Sequence, residues 1–423
     1  MRLRTRFQIA ALCVAAPFVL QAQKSSNGFA ADRLARIDKF LQAAVDSNRI
    51  MGATALVLRD GKPVYEKSVG WADKESNKKM TSDVIFRIAS QSKALTSTAI
   101  MMLIEQGAIS LNDPVGKFIP SFERTTVALA ADTGRTPVRA NRQINIKDLL
   151  THTAGISYGG EARVSQKYVA AGLGPAAGWG WYFADKTEPI CTTIERLGTL
   201  PMVYQPGETW VYGYNTDILG CVVERASGMS LDQFIKTRIT GPLGMKDTHF
   251  FLPVEKRERL ATVYMSDSTN HAVRAPNGPR GQGDYVDGPR VSFSGGAGLL
   301  STARDYAHFL EMLRNHGQLD GVRYLSPKTV DLMTTNQTTL YRNWGQGYGL
   351  AFETVEKYGG DGMSSVGTFT WGGAYASTYR VDPAEGLVMV FMINQLPMRS
   401  DVPAKFATLV YQAMTTSRSG TQR

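Results

Sequence analysis

The chain has 423 residues, of which 43% are apolar and 20% charged. That balance supports a large core and excludes a disordered tail, a collagenous repeat and a disulfide-stapled miniprotein. The net charge of +10 raises nucleic-acid binding, but Lys and Arg never run longer than two residues and the dispersed charge argues against it.

Arg2, Arg4 and Arg6 precede an uncharged apolar stretch from Ile9 to Leu20, and Ala22 offers a small residue for cleavage. This is the pattern of a secretory signal over residues 1–22. About 12 apolar residues are too few to span roughly 30 Å of hydrocarbon. No later segment approaches 18 uninterrupted apolar residues, so residues 23–423 are expected as an exported, periplasmic or secreted protein with no stable membrane span.

From Ala31 to Asn48, Leu34, Ile37, Leu41 and Val45 recur at helical spacing. Gly52 to Leu58, the polar turn Asp60-Gly61-Lys62-Pro63, and Val64 to Val69 read as a β-hairpin. Phe86-Arg87-Ile88 is a short strand running into Ser90, with a long helix following through Ile104 to Gly107, and Asn112-Asp113-Pro114 marks the next turn. Residues 108–290 read as helical pieces and long Gly/Pro-bearing loops, such as 172–180 and 275–289. Helices are expected over Leu219–Ala226 and Ser230–Arg238. After Gly295-Gly296-Ala297-Gly298 comes a helix from Thr302 to Asn315. Strands are then expected at Tyr348–Thr354, Phe369–Trp371, Tyr375–Val381 and Leu387–Ile393, with a closing helix from Val402 to Met414. Strands at both ends imply one sheet, from about 31–107 and 291–418, with a helical region inserted over about 108–290.

Cys13 falls within the signal segment, which leaves Cys191 and Cys221 in an oxidising compartment. There they either pair or lie buried as small hydrophobes. The five histidines are scattered and no Cys/His cluster has zinc-like spacing, so neither a metal nor another cofactor is expected.

Two serines compete as nucleophile. Gly155-Ile156-Ser157-Tyr158-Gly159 matches the G-x-S-x-G elbow, which needs a strand feeding the turn and a helix leaving it. Here Lys147 to Thr153 reads as a helix end and loop, and Gly159 to Ala162 opens no clear helix. Ser90-Gln91-Ser92-Lys93 stands at the start of the long helix, where positions i and i+3 share a face and backbone N–H groups favour negative charge. A lysine is a base only as a neutral amine, a form favoured by burial against Ile88, Ala89 and Ala94 and by the positive end of the helix. Asp83 lies slightly upstream, and no carboxylate lies within six residues of Lys93 to hold it charged.

Phe86 to Thr96, with its Ser90-Gln91-Ser92-Lys93, resembles the first motif of the serine β-lactamase and penicillin-binding-protein superfamily. Four further stretches agree in order: Ile109 to Val115, Leu149 to Ile156, Gln205-Pro206-Gly207-Glu208 before Tyr212, and Ser294 to Leu299. The G-x-S-x-G then overlaps the end of a family segment and is incidental. The resemblance, class C-like, places Tyr212 at the family's tyrosine, with Tyr214-Asn215 as a rival registration. Trp371-Gly372-Gly373-Ala374 stands where β-lactamases carry K-T-G and is similar to the pattern of family VIII carboxylesterases.

The resemblance implies an α/β (α+β) fold of the β-lactamase/transpeptidase type, an antiparallel sheet flanked by helices with an inserted helical region. It also implies acyl transfer to Ser90 aided by Lys93 and Tyr212, with the N–H groups of Ser90 and Ala374 as oxyanion hole beside Trp371, Gly372 and Gly373. The partner it implies is a small-molecule ester or amide, most simply a short- to medium-chain ester. A class C-like β-lactamase, a D-amino-acid amidase or peptidase, and a silent peptidoglycan-binding relative are the alternatives. Trp371 supplies no charge for a substrate carboxylate and Tyr214 lacks the Y-x-N amide. An arginine elsewhere in the cleft, such as Arg163 or Arg290, could replace that charge.

Overall fold

Strict alternation builds the centre of the molecule. In strand β1 (Gly52–Arg59) every residue is buried, with Ala53, Ala55 and Val57 on one face and Leu56 and Leu58 on the other. Asp60 and Gly61, both with left-handed φ (51° and 72°), turn the chain into β2 (Lys62–Asp73). The computed structural model describes residues 25–129, 136–173, 184–278 and 281–418. The expected signal segment, Cys13 and most of the loop at 172–180 lie outside the described residues.

Six more strands join the hairpin: β3 (Lys78–Lys79), β4 (Gln346–Tyr348), β5 (Glu353–Val355), β6 (Phe369–Gly372), β7 (Thr378–Asp382) and β8 (Leu387–Met392). They form one antiparallel sheet in the order β4-β5-β6-β7-β8-β1-β2-β3. β8 pairs with β1 along its whole length, Leu387 opposite Arg59 and Met392 opposite Thr54. The first and last long strands are therefore neighbours at its centre.

In chain order the helices are α1 (Ala31–Asp46), α2 (Ser92–Glu105), α3 (Ile146–Leu150), α4 (Ala162–Ala170) and α5 (Ile190–Gly198). They continue with α6 (Asn215–Ser227), α7 (Leu231–Ile235), α8 (Ala303–Arg314), α9 (Pro327–Thr334) and α10 (Val402–Ala413). α1 and α10 cover one face of the sheet, where Ile37, Leu41, Phe406 and Val410 meet Ala55, Val57, Met389 and Phe391. Burying each large side chain there contributes roughly 1.5–3 kcal/mol. The other face carries Leu56, Leu58, Val388, Val390 and Met392 against α8, α2 and the inserted helices. Among the described residues no helix is long and apolar enough to cross a membrane.

Four expected elements are redrawn. The strand at Tyr348–Thr354 is a hairpin: β4 ends at Tyr348, and Gly349 N–H donates to Phe352 O (2.8 Å) across a turn with Ala351 at φ 78°. The strand at Tyr375–Val381 begins only at Thr378, because Gly373 N–H donates to Ser377 O (2.7 Å) and closes a tight turn first. Ser90 sits in a 3₁₀ turn, Ala89–Gln91, and α2 starts at Ser92. A helix does open after Gly159-Gly160, since α4 starts at Ala162.

Candidate active site

Strand Phe86–Arg87 pairs with Leu300–Ser301, and the side-chain amide of Asn394 brackets Arg87 by accepting from its N–H (3.2 Å) and donating to its C=O (3.1 Å). The chain then kinks at Ala89, whose φ of 43° is unfavourable for a residue with a Cβ, and the kink leaves Ser90 half-buried at the start of an otherwise buried helix. One turn on, Lys93 is wholly buried. Its Nζ lies 3.2 Å from Ser90 Oγ, 3.2 Å from Tyr158 OH and 2.8 Å from Gly296 O. The same Nζ stands 4.6 Å from the centre of the Tyr212 ring, and Trp371 Nε1–H donates to Tyr212 OH (3.2 Å). The fold thus brings Ser90 and Lys93, Tyr212 and Trp371 together from three separate parts of the chain.

Tyr158 is the group that sequence reasoning passed over, although it adjoins the serine it weighed. A capping box, in which Asn145 and Asp148 each accept the other's N–H, starts α3 and fixes the exit of the loop. The loop turns at His152 (φ 56°) and Gly155 (φ 79°) before Tyr158 enters the site. Ser157 points away, donating to Glu161 Oε2 (2.5 Å) and accepting from Gly159 N–H (3.0 Å). Burial, with neighbouring Tyr212 and Asp217 adding to it, holds the Tyr158 phenol well above the ordinary tyrosine range, so it stays protonated. Tyr214 is 1% exposed and packs edge-on against Tyr158 (4.9 Å), which leaves the Tyr212 registration as the one facing Lys93.

Behind these groups, Asn215 at the start of α6 donates to His152 Nδ1 (2.8 Å) and approaches the carbonyls of Ile156 and Val211 (3.3 Å each). Burial first, and the charge of Lys93 second, push the His152 ring well below the ordinary histidine range. Trp210 stacks on Tyr212 (5.8 Å, 14°), and Tyr348 closes edge-on against Trp210 (5.5 Å) and Trp371 (5.4 Å). The site therefore has an aromatic wall.

The turn after β6 completes the cleft. A Cβ on Gly373 would lie 2.5 Å from Ile88 O, so only glycine lets Gly372–Ala374 approach the turn that carries Ser90. Neither candidate arginine turns its charge to the cleft: Arg163 lies over the Tyr204 ring (4.4 Å), and Arg290 donates to Leu252 O (2.8 Å) and Val286 O (2.6 Å). A disulfide joins Cys191 on α5 to Cys221 on α6 (Cα–Cα 5.1 Å), settling the question that the sequence left open. Among the described residues no three His, Cys, Asp or Glu side chains gather where they could hold a metal ion.

The arrangement sets a hydroxyl beside a buried amine and a protonated phenol, which suits passing a proton off the serine and onto a leaving group. Comparison with known proteins agrees in kind. The family model described as beta-lactamase matches residues 37–412. Protein Rv1367c of Mycobacterium tuberculosis is 33% identical, over 84% of this chain and 89% of its own length. Esterase EstB of Burkholderia gladioli is 31% identical, over 86% and 91%. Among solved structures, EstCE1, described as a hydrolase with promiscuous acyltransferase activity, superposes with a TM-score of 0.75 at 28% identity, covering 90% of this chain and 99% of its own.

Proposed function

The chain belongs to the beta-lactamase family, and we propose that within it the protein is a carboxylesterase that forms an acyl-enzyme on Ser90. The observation that carries this reading is Trp371. It stands where a charged third motif would meet a substrate carboxylate, and its indole N–H is engaged with Tyr212. A desolvated, unpaired carboxylate costs several kcal/mol, whereas a neutral ester escapes that cost and gains apolar contact with the indole. The esterase relative EstB supports the same choice.

In this reading Ser90 Oγ attacks the ester carbonyl while its proton passes to Lys93 Nζ at 3.2 Å. The N–H groups of Ser90 and Ala374 receive the oxyanion. Collapse breaks the C–O bond, and the alcohol leaves with a proton returned through Lys93 and the phenols of Tyr158 and Tyr212. A water then repeats the sequence on the acyl-enzyme, with the carboxylic acid as product. Incubation with a fluorophosphonate followed by peptide mass spectrometry is expected to place the label on Ser90. Turnover of a short p-nitrophenyl ester is expected to exceed that of a chromogenic cephalosporin by about a hundredfold or more in kcat/KM. Cephalosporin turnover equal to or faster than that of the best short ester overturns the esterase reading.

We also place the enzyme outside the cytoplasm. The basic and apolar pattern of residues 1–22 and the Cys191–Cys221 bond both suit export to an oxidising compartment. Recovery of the active enzyme from the cytoplasm with residues 1–22 still attached would contradict it.

A further inference from the structure

Asp217 has no part in the steps above, yet it is 1% exposed and lies in the first turn of α6, beneath the site. Its Oδ1 accepts from Ser294 Oγ (2.5 Å) and from Gly296 N–H (3.1 Å). Ser294 Oγ itself accepts from Ala297 N–H (3.1 Å), so its own proton points at Asp217. The carboxyl therefore receives donors at the positive end of a helix, the setting of an anion. Gly296, which gives its N–H to this carboxylate, gives its C=O to Lys93 Nζ (2.8 Å). Thr96 Oγ1 donates to Gly295 O (2.9 Å) and ties the same loop to α2. Burial pushes the Asp217 carboxyl up, and the charge of Lys93 is the largest influence opposing it. The other titratable groups facing this pair are the phenols of Tyr158 and Tyr212 and the neutral ring of His152.

We propose that Asp217 is a positioning residue for the reaction. Through Gly296 it aims Lys93 at Ser90, and its negative charge stabilises the ammonium formed when Lys93 takes the serine proton. The inference rests on the reading of Lys93 as the base. The proton moves from Ser90 Oγ to Lys93 Nζ as the Oγ–C bond forms, and Asp217 neither gains nor loses one. Unlike the acid of a Ser-His-Asp triad, which bonds its imidazole directly, it acts on the lysine through the Gly296 residue and through its charge.

The test is the pH profile of p-nitrophenyl ester hydrolysis for the parent, Asp217→Asn and Asp217→Glu. Asp217→Asn is expected to lower kcat roughly 10- to 100-fold with KM within about threefold, the size of effect a lost charged hydrogen-bond partner produces. Its acid limb is expected to move to lower pH by about one unit, because an amine without its counter-charge gives up its proton more readily. Asp217→Glu keeps the charge and is expected to keep the parental acid limb. A fall in kcat with an unmoved acid limb in Asp217→Asn overturns the proposal, as does an equal shift in both variants.

Urea unfolding gives a second route should Asp217→Asn not fold. Lys93→Met strands a buried carboxylate, so its stability deficit relative to the parent is expected to shrink as pH falls from 8 to 5. Lys93→Met/Asp217→Asn is expected to be the more stable of the two at pH 8. A double variant no more stable than Lys93→Met overturns the coupling. These unfolding results stand whether or not Ser90 takes the fluorophosphonate label, so failure of the esterase reading and failure of this one are distinguishable.

Discussion

The two faces of the central sheet are built to different rules. Under α1 and α10 the interface is mainly apolar, with Phe391 against Phe406 (5.2 Å) at its middle and its buried polar groups, the Arg59–Glu385 pair and Asp382 with Tyr411, at the strand ends. The opposite face is also buried, yet it encloses Lys93, Asp217, His152, Asn215 and Ser294 close to one another. Burying that many polar groups is tolerable only because each is tied to another, as Asn215 is to His152 and Ser294 to Asp217. One face thus holds the fold together, and the other spends part of that stability on a chemically prepared pocket. Changes on the first should be read in stability, and changes on the second in rate.

The sharpest contrast is expected inside the second face. Ser90→Ala should lose at least 10³-fold in kcat, on the order seen when a nucleophile is removed, while Ser157→Ala keeps most activity because its hydroxyl serves Glu161 and Gly159. Equal losses in two folded variants would erase the distinction between the serines. Tyr158→Phe and Tyr212→Phe should each lower kcat by about 10² to 10⁴, the usual range for a positioned proton-transfer group, with little change in melting temperature. Tyr214→Phe should stay within a few fold, and a loss confined to it would reopen the alternative registration.

Across the sheet, Phe391→Ala should cost about 3–5 kcal/mol in urea unfolding while the folded fraction keeps parental kcat and KM. A clear drop in kcat at constant folded fraction would show that the two faces are not separable. Reduction of Cys191–Cys221, which closes a loop of about 30 residues, should remove roughly 3 kcal/mol. Two free thiols in the denatured, unreduced protein would remove the premise.

The smallest effect concerns acid. Burial and the charge of Lys256 hold His249 at about 4, and His152 lies well below its ordinary value. Their folded pKa values are depressed, so the unfolded chain takes up protons first and stability falls as pH drops below about 6.5. For a histidine at about 4, as His249 is, that loss is about 1.5 kcal/mol between pH 6.5 and 5. A stability curve flat over that window would contradict the burial of both rings.

How much could be read beforehand follows the same division. The hairpin at Gly52–Val69, the helix from Ala31 and the last strand from Leu387 declare themselves because a two-sided sheet and an amphipathic helix impose periods on the sequence. Ser90 and Lys93 were legible because one helical turn joins them. Asp217 was not, because its carboxylate is delivered by a helix from another part of the chain and local spacing around Lys93 carries no trace of it. Tyr158 was not legible for a local reason: the turns of the loop send Ser157 toward Glu161 and its neighbour toward Lys93, and nothing in the residue types distinguishes the two directions. The β4–β5 turn and the late start of β7 depend on left-handed residues, Ala351 and Ala376, whose type gives no warning of it.

The pairing of β8 with β1 has a consequence for how the protein is made. During synthesis, β1 and β2 are complete almost at once, but Ala55 must wait for Phe391, its partner across the ladder. Until then the growing chain carries an open edge, apolar but for Thr54 and Arg59, the kind of surface on which strands of different molecules pair. Nearly the entire catalytic region is synthesised in that interval. The order of synthesis therefore leaves the hairpin in need of shelter, by a chaperone or by delayed collapse, until the last strand emerges.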